Sequence, residues 1–151
     1  MIIKEVHIDG FGRFNNFSNS SFKKGINIVF GNNEAGKSTL LAFLRYTLFG
    51  YPDGRSKLNQ YEPLRGGNHG GRIKTLLSSN SEAIFERYSG AKGGKIKLIC
   101  NGQESENQSQ WNQLLGGATD NLYNNIFAFT LDELVNLDSL SESGVEDKIF
   151  S

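Results

Sequence analysis

Ile26-Asn27-Ile28-Val29-Phe30-Gly31-Asn32-Asn33-Glu34-Ala35-Gly36-Lys37-Ser38-Thr39 is the stretch that decides how this chain reads. Its first five residues form an apolar, β-branched run of the kind that makes a central strand. Residues 31–38 then fit G-x-x-x-x-G-K-[ST] in full. From Lys37 to Phe49 the sequence has helix length and apolar residues on most faces, with Gly50 placed to end it. Strand, glycine-bounded loop and helix together are the setting in which this motif binds phosphate, whereas a chance glycine turn ahead of Lys-Ser has no reason to sit there. The main-chain amides of Gly31, Asn32, Asn33, Glu34, Ala35 and Gly36 must converge on phosphate oxygens, which requires glycine where a Cβ would block the approach. The helix adds its positive N-terminal end. Lys37 brings a mobile charge to the β- and γ-phosphates, the Ser38 hydroxyl is the expected Mg²⁺ ligand, and Thr39 reaches the α-phosphate. The implied ligands are ATP and Mg²⁺.

Working outward, residues 1–9 alternate Val6 and Ile8 against Glu5, His7 and Asp9, the period of a half-buried strand, which Gly10-Phe-Gly12 breaks. Phe14, Phe17 and Phe22 lead to a turn at Lys23-Lys24-Gly25. Residues 51–71, rich in Gly, Pro, Asn and Asp, form a long loop of a length that is commonly functional. Residues 72–77, 83–88 and 95–100 read as three strands of an antiparallel meander, with turns at 78–81 and 89–94. A polar helix is expected over 106–115, stopped by Gly116-Gly117. Asp120 then caps a short helix leading to Ile126-Phe-Ala-Phe129, and residues 131–140 are helical with Leu131, Leu134, Val135 and Leu137 on one face. Residues 145–150 carry no terminating signal, so the reading expects a single ATP-binding lobe over 1–151 that is cut before a coiled coil.

Charge is unevenly distributed although the net is zero. Residues 1–100 hold 15 Lys/Arg and 7 Asp/Glu, and residues 101–151 hold 1 and 9. The positive strands of the meander, with Arg72, Lys74, Arg87, Lys92, Lys95 and Lys97, are a candidate DNA face, set against the plainer alternative of solvated charge. No apolar run reaches the roughly 20 residues of a membrane span, and the N-terminus lacks the pattern of a secretion signal; a soluble, cytoplasmic protein is expected. Cys100, the single cysteine, reads as a small buried hydrophobe. Trp111 reads as a core anchor, His7 as a residue on the polar side of its strand, and His69 as a loop histidine near Tyr61, within conceivable reach of an adenine.

Gly10-Phe-Gly-Arg-Phe14, Gly31-Asn-Asn-Glu-Ala-Gly-Lys-Ser-Thr39, Leu48-Phe-Gly50, Tyr61-Glu-Pro63, Gly70-Gly71 and Leu122-Tyr-Asn-Asn-Ile-Phe-Ala-Phe-Thr-Leu-Asp-Glu-Leu134 resemble, in this order, the N-terminal part of YhaN-type proteins. These are similar to SbcC, RecF and RecN among the SMC-like, ABC-type ATPases. The resemblance implies an α/β P-loop lobe with a mixed sheet and an antiparallel portion. It also implies a split head, in which the Walker B, signature and switch elements come from the protein's own C-terminal half beyond a coiled coil. Such a head pairs with a second head around nucleotide, acts on DNA in repair or processing, and in some relatives works with a nuclease partner. Arg13 matches an early basic position that reaches nucleotide phosphates in some relatives, and Asp132 with Glu133 falls where many carry a Q-loop glutamine.

Two further patterns compete. Ile126-Phe-Ala-Phe-Thr-Leu-Asp132-Glu133 has the outline of a Walker B strand; on that alternative Asp132 holds Mg²⁺, Glu133 is catalytic, and the chain is a self-contained NTPase or kinase. Against it, Thr130 interrupts the run, and a meander replaces the repeated βαβ units of a compact kinase. Leu114-Leu-Gly-Gly117 has part of an ABC signature but lacks its serine, so a helix end is expected there. A third reading is a nucleotide-gated interaction module without hydrolysis.

Overall fold

The computed structural model describes residues 1–123. The chain falls into two compact units, Met1–Gly116 and Gly117–Ser151, and of the second only residues 117–123 are described. Residues 124–151, including Asp132, Glu133 and the expected strand-like and helical stretches around them, lie outside the described residues.

In the first unit the alternating N-terminal stretch forms β1 (Ile2–Phe11), which turns at Gly12-Arg13 into β2 (Phe14–Asn19). The glycines at 10 and 12 were expected to end the strand sooner. It runs on to Phe11 because the ring is driven into the core, where it is fully buried. The meander follows as β3 (Gly70–Leu76), β4 (Glu82–Tyr88) and β5 (Lys95–Cys100), each within two residues of its expected bounds, and a short β6 (Gln103–Ser105) that the sequence did not announce. These make a six-stranded sheet in the order β2-β1-β3-β4-β5-β6. Every pair of neighbouring strands is antiparallel.

The register puts Val6, Ile8, Ile73, Ala83, Phe85 and Leu98 on one face, all buried. Helix α1 (Lys37–Phe49) lays Leu40, Phe43, Thr47 and Leu48 on that face, and helix α2 (Gln108–Leu114) adds Trp111, edge-on to Phe85 with ring centroids 4.9 Å apart. Trp111 is thus the expected core anchor. Asn107 rather than Glu106 starts α2, its side chain accepting from the Ser109 amide at 2.8 Å. In the second unit a single helical turn, α3 (Asp120–Leu122), is capped by Thr119, whose Oγ1 accepts from the Leu122 amide at 3.2 Å, and not by Asp120 as expected.

The expected mixed sheet is not formed among the described residues. Residues 26–30, expected as its central strand, carry no regular secondary structure and pair with no described strand: Ile26 is 93% exposed, Ile28 80%, Val29 53% and Phe30 90%. Their main chain makes no hydrogen bond to a described residue. The reason lies in the composition. A strand apolar on both faces is stable only with strands on either side and a layer above and below, and no described strand lies beside this one.

The other face of the sheet is charged in alternating sign. Across the strands His7 lies opposite Ser18 and Arg72, Arg72 opposite Glu86, and Glu86 opposite Lys97. Lys74 pairs with Glu82 at 2.9 Å and Lys97 with Glu104 at 2.8 Å. Asp9 accepts from the Tyr88 hydroxyl and bonds His7 Nε2 at 2.7 Å, which places His7 on the polar side as expected. Arg87 does not belong to this face: it points into the core and is 2% exposed. The six basic residues of the meander therefore do not form one free cationic surface.

Between β1 and β3 the backbones approach so closely that a Cβ on Gly71 would lie 2.1 Å from the His7 carbonyl oxygen. Gly71→Ala must therefore break the pairing beside it, and chemical denaturation should show a loss of at least about 3 kcal/mol, the upper end of ordinary overpacking. Gly54→Ala, where a Cβ meets nothing within 4 Å, should stay within about 0.5 kcal/mol of the parent. Equal stability of the two variants would refute this register.

Candidate nucleotide-binding site

The phosphate loop is built where three segments meet: the β1–β2 turn, residues 31–36, and the first turn of α1. Gly36 ends the loop at φ 102°, a left-handed conformation, and its carbonyl accepts the first helical bond from the Leu40 amide at 2.8 Å. A Cβ there would lie 2.9 Å from Phe14 Cζ and 3.0 Å from Arg13 Cδ. Glycine is required at position 36 on both counts. The same contact shows that Arg13 lies against the loop, with its side chain exposed.

No side chain caps α1, and its first turn contains no acidic residue. The amides of that turn, with Ser38 exposed among them, have no partner inside the helix and aim the positive end of its dipole outward. Inside the loop the Ala35 amide bonds the Asn32 carbonyl at 3.1 Å, and Glu34 adopts φ 64°. Lys37 curls back so that Nζ donates to the carbonyls of Gly31 at 2.8 Å and Asn32 at 2.9 Å. An ammonium, the exposed loop and a helix N-terminus thus lie in one small region, with no described carboxylate bonded to Lys37, a donor set that fits a triphosphate and, through the Ser38 hydroxyl, its Mg²⁺. Thr39 is half-buried with its methyl group toward Gly12, Cγ2 lying 2.9 Å from where a Cβ on that glycine would sit.

The long loop after α1 braces this arrangement. Tyr61 accepts from the Gly12 amide at 2.7 Å, the Leu64 amide donates to Gly12 O at 2.8 Å, and Asn15 donates to Gly66 O at 2.7 Å. The Tyr61 ring stacks on Phe11 at 5.2 Å and an interplanar angle of 13°. Sequence reading marked Tyr61-Glu-Pro63 by resemblance but had no way to see that it closes over the hairpin turn. His69 sits in the same aromatic cluster, 5.6 Å from the Phe11 ring and 5.0 Å from Tyr51, with Nδ1 3.3 Å from Glu62. Its Nε2 is buried without a hydrogen-bond partner among the described residues. Burial holds this imidazole below its usual pKa, with Glu62 opposing. His69 is packed among these rings.

Among the described residues no cluster of His, Cys, Asp or Glu could hold a metal by itself. Leu114 and Leu115 end α2, and Gly116 and Gly117 follow at φ 69° and 71°, a helix terminus as expected. A concavity of about 340 Å³ lies between β5, β6 and α2; Cys100, half-buried rather than fully buried, lines it with Glu104 and no described cation.

Comparison with known proteins bears on the same site. The sequence profile of the AAA domain family matches residues 5–150. The chain is also 30% identical over 127 residues to a Bacillus subtilis (strain 168) protein described as "Uncharacterized protein YhaN". That match covers 84% of this chain and 13% of the relative, so the chain spans a small part of the relative's length.

Lys37→Ala should leave thermal stability unchanged, because the side chain is exposed, while removing about 2–3 kcal/mol of ATP binding, or about 30- to 150-fold. Titration with a fluorescent ATP analogue measures this, and an unchanged affinity would overturn the assignment. A second expectation concerns pH. Because the folded state lowers the His69 pKa from 6.5, its contribution to stability is complete above that value and is lost as pH falls below it. His69→Asn should therefore flatten the stability profile between about pH 7 and pH 5 relative to the parent; parallel profiles would show that the imidazole is not held neutral.

Proposed function

This chain belongs to the AAA domain family, of SMC-like and ABC type, and from that premise we propose that it is the ATP- and Mg²⁺-binding lobe of an ATPase head completed by other segments of the protein. The observation that carries the reading is a juxtaposition. A phosphate loop with all its parts follows directly on residues 26–30, an exposed apolar run with no described strand beside it. The loop supports binding of the triphosphate; the exposed run supports completion from elsewhere.

On this reading the main-chain amides of residues 31–36, Lys37 and the first turn of α1 bind and neutralise the triphosphate, and Arg13 approaches it from the hairpin turn. Ser38 would hold Mg²⁺, which supplies charge neutralisation between the β- and γ-phosphates when bound. Hydrolysis also needs a positioned water and stabilisation of charge on the far side of the γ-phosphate. No described residue is placed for either task, so the reading assigns them to the C-terminal half and to a second head. DNA as the object of the ATPase cycle, a nuclease partner and a cytoplasmic location are proposed from the family resemblance. No described helix is long and apolar enough to cross a membrane. If DNA is contacted, the interleaved carboxylates of the open sheet face make that face a poor candidate, and the contact falls to the assembled head.

The 151-residue chain should bind ATP yet turn it over negligibly, and turnover should return when the C-terminal half is added. Steady-state ATPase assays on the chain alone, on Glu133→Gln and on the mixture decide this. Robust hydrolysis by the lone chain, lost in Glu133→Gln, would replace the proposal with a self-contained NTPase. Ile28→Lys should leave the lobe folded and able to bind ATP but unable to associate with the C-terminal half; full association would show that residues 26–30 are not the joining strand.

A further inference from the structure

Arg87 and Trp111 come together at the end of α1 farthest from the phosphate loop. The helix has 13 residues and so is about 20 Å long. Its last turn contains no basic residue, and its final carbonyls cannot be satisfied within the helix. Both are met from outside. Arg87 Nε donates to Thr47 O at 2.9 Å and Nη2 lies 3.5 Å from Leu48 O, while Trp111 Nε1 donates to Leu48 O at 2.7 Å. The guanidinium carbon stands 4.8 Å from the centroid of the Trp111 ring, and Nη1 donates to Gly93 O at 3.0 Å. Arg87 has no carboxylate partner among the described residues. Burial depresses its pKa to about 10, which leaves it cationic at neutral pH.

A buried cation without an anion is costly, and its bonds here go to the carbonyls of one helix end and of the β4–β5 turn. This helix end also concentrates partial negative charge, which a cation offsets. Between its ends α1 rests on the sheet through apolar contacts of Leu40, Phe43 and Leu48, which set its crossing angle within a broad scatter. Directional bonds narrow its axial position further. The three donors at the C-terminal end set where the helix lies, and the amides of its first turn move with it as one rod.

We infer that Arg87 and Trp111 are positioning residues for nucleotide: by clamping the C-terminal carbonyls of α1 to β4 and α2 they place its N-terminal amides, Lys37 and Ser38 where the triphosphate binds. The inference rests on the ATP-binding function proposed above. It assigns to two side chains remote from the ligand a part in affinity, since small displacements of donors forfeit much of a preorganised contact.

The test compares Arg87→Lys, Arg87→Met and Trp111→Phe with the parent, on the full 151-residue chain with Mg²⁺. ATP affinity is measured calorimetrically, well below each variant's unfolding temperature, and circular dichroism establishes the folded state. Trp111→Phe keeps an aromatic ring, smaller than the indole, and removes one donor, so affinity should fall about fivefold or more; Arg87→Met should lose about tenfold or more, with Arg87→Lys between it and the parent. Should Arg87→Met fail to fold, the other two decide the matter. Folded variants that bind ATP within twofold of the parent would overturn the clamp and leave the proposed function intact. A parent that binds no ATP would overturn the proposed function, and the clamp with it.

Discussion

The carbonyls of Thr47 and Leu48 are the junction on which the described architecture depends. They close the helix that follows the phosphate loop, and they are bonded by side chains of β4 and of α2. One pair of acceptors thereby joins the sheet, the loop-bearing helix and the last helix of the first unit. A buried carbonyl left without a donor costs about 1–3 kcal/mol. Three segments far apart in sequence are therefore committed to one arrangement by the need to satisfy a single helix end. The apolar core fills the space among them, with Phe85 and Trp111 in edge-on contact at its centre.

At the other end of the same helix the demand is reversed. Donors are left without internal acceptors, and the neighbouring residues keep them that way: glycine at 36, no acidic side chain in the first turn, and a lysine bent onto carbonyls of the loop rather than across the amides. Glycine is an accepted helix N-cap, only a few tenths of a kcal/mol behind the better ones, and at position 36 the left-handed backbone and the closeness of Phe14 and Arg13 require it. Position 36 therefore brings no side-chain oxygen to compete for the first-turn amides where the proposed ligand binds.

Sequence alone disclosed what depends on neighbours along the chain. The phosphate loop, helix α1, the three strands of the meander and the end of α2 were all legible from spacing, turn residues and composition. What it could not disclose was set by distant partners. Residues 26–30 have the local marks of a strand, but no described strand lies beside them. Arg87 was grouped with the surface cations of its strand, because nothing local distinguishes an arginine facing a helix end from one facing water. Thr119 and Asp120 are both good caps, and which one serves depends on where the chain enters the turn. The bracing of Gly12 by Tyr61, across 49 residues of sequence, belongs to the same class.

The exposure of residues 26–30 has a consequence of its own. An uncharged, β-branched segment whose main chain bonds no described residue is of the kind that stacks on copies of itself, the first step toward cross-β aggregation. Lys23 and Lys24, both exposed, immediately precede Gly25 and this segment. Stacking in register would bring these like charges together at every layer. Such charges at the flank of an apolar run deter its self-association, the role of gatekeepers, while the run itself stays exposed for the joining role proposed above.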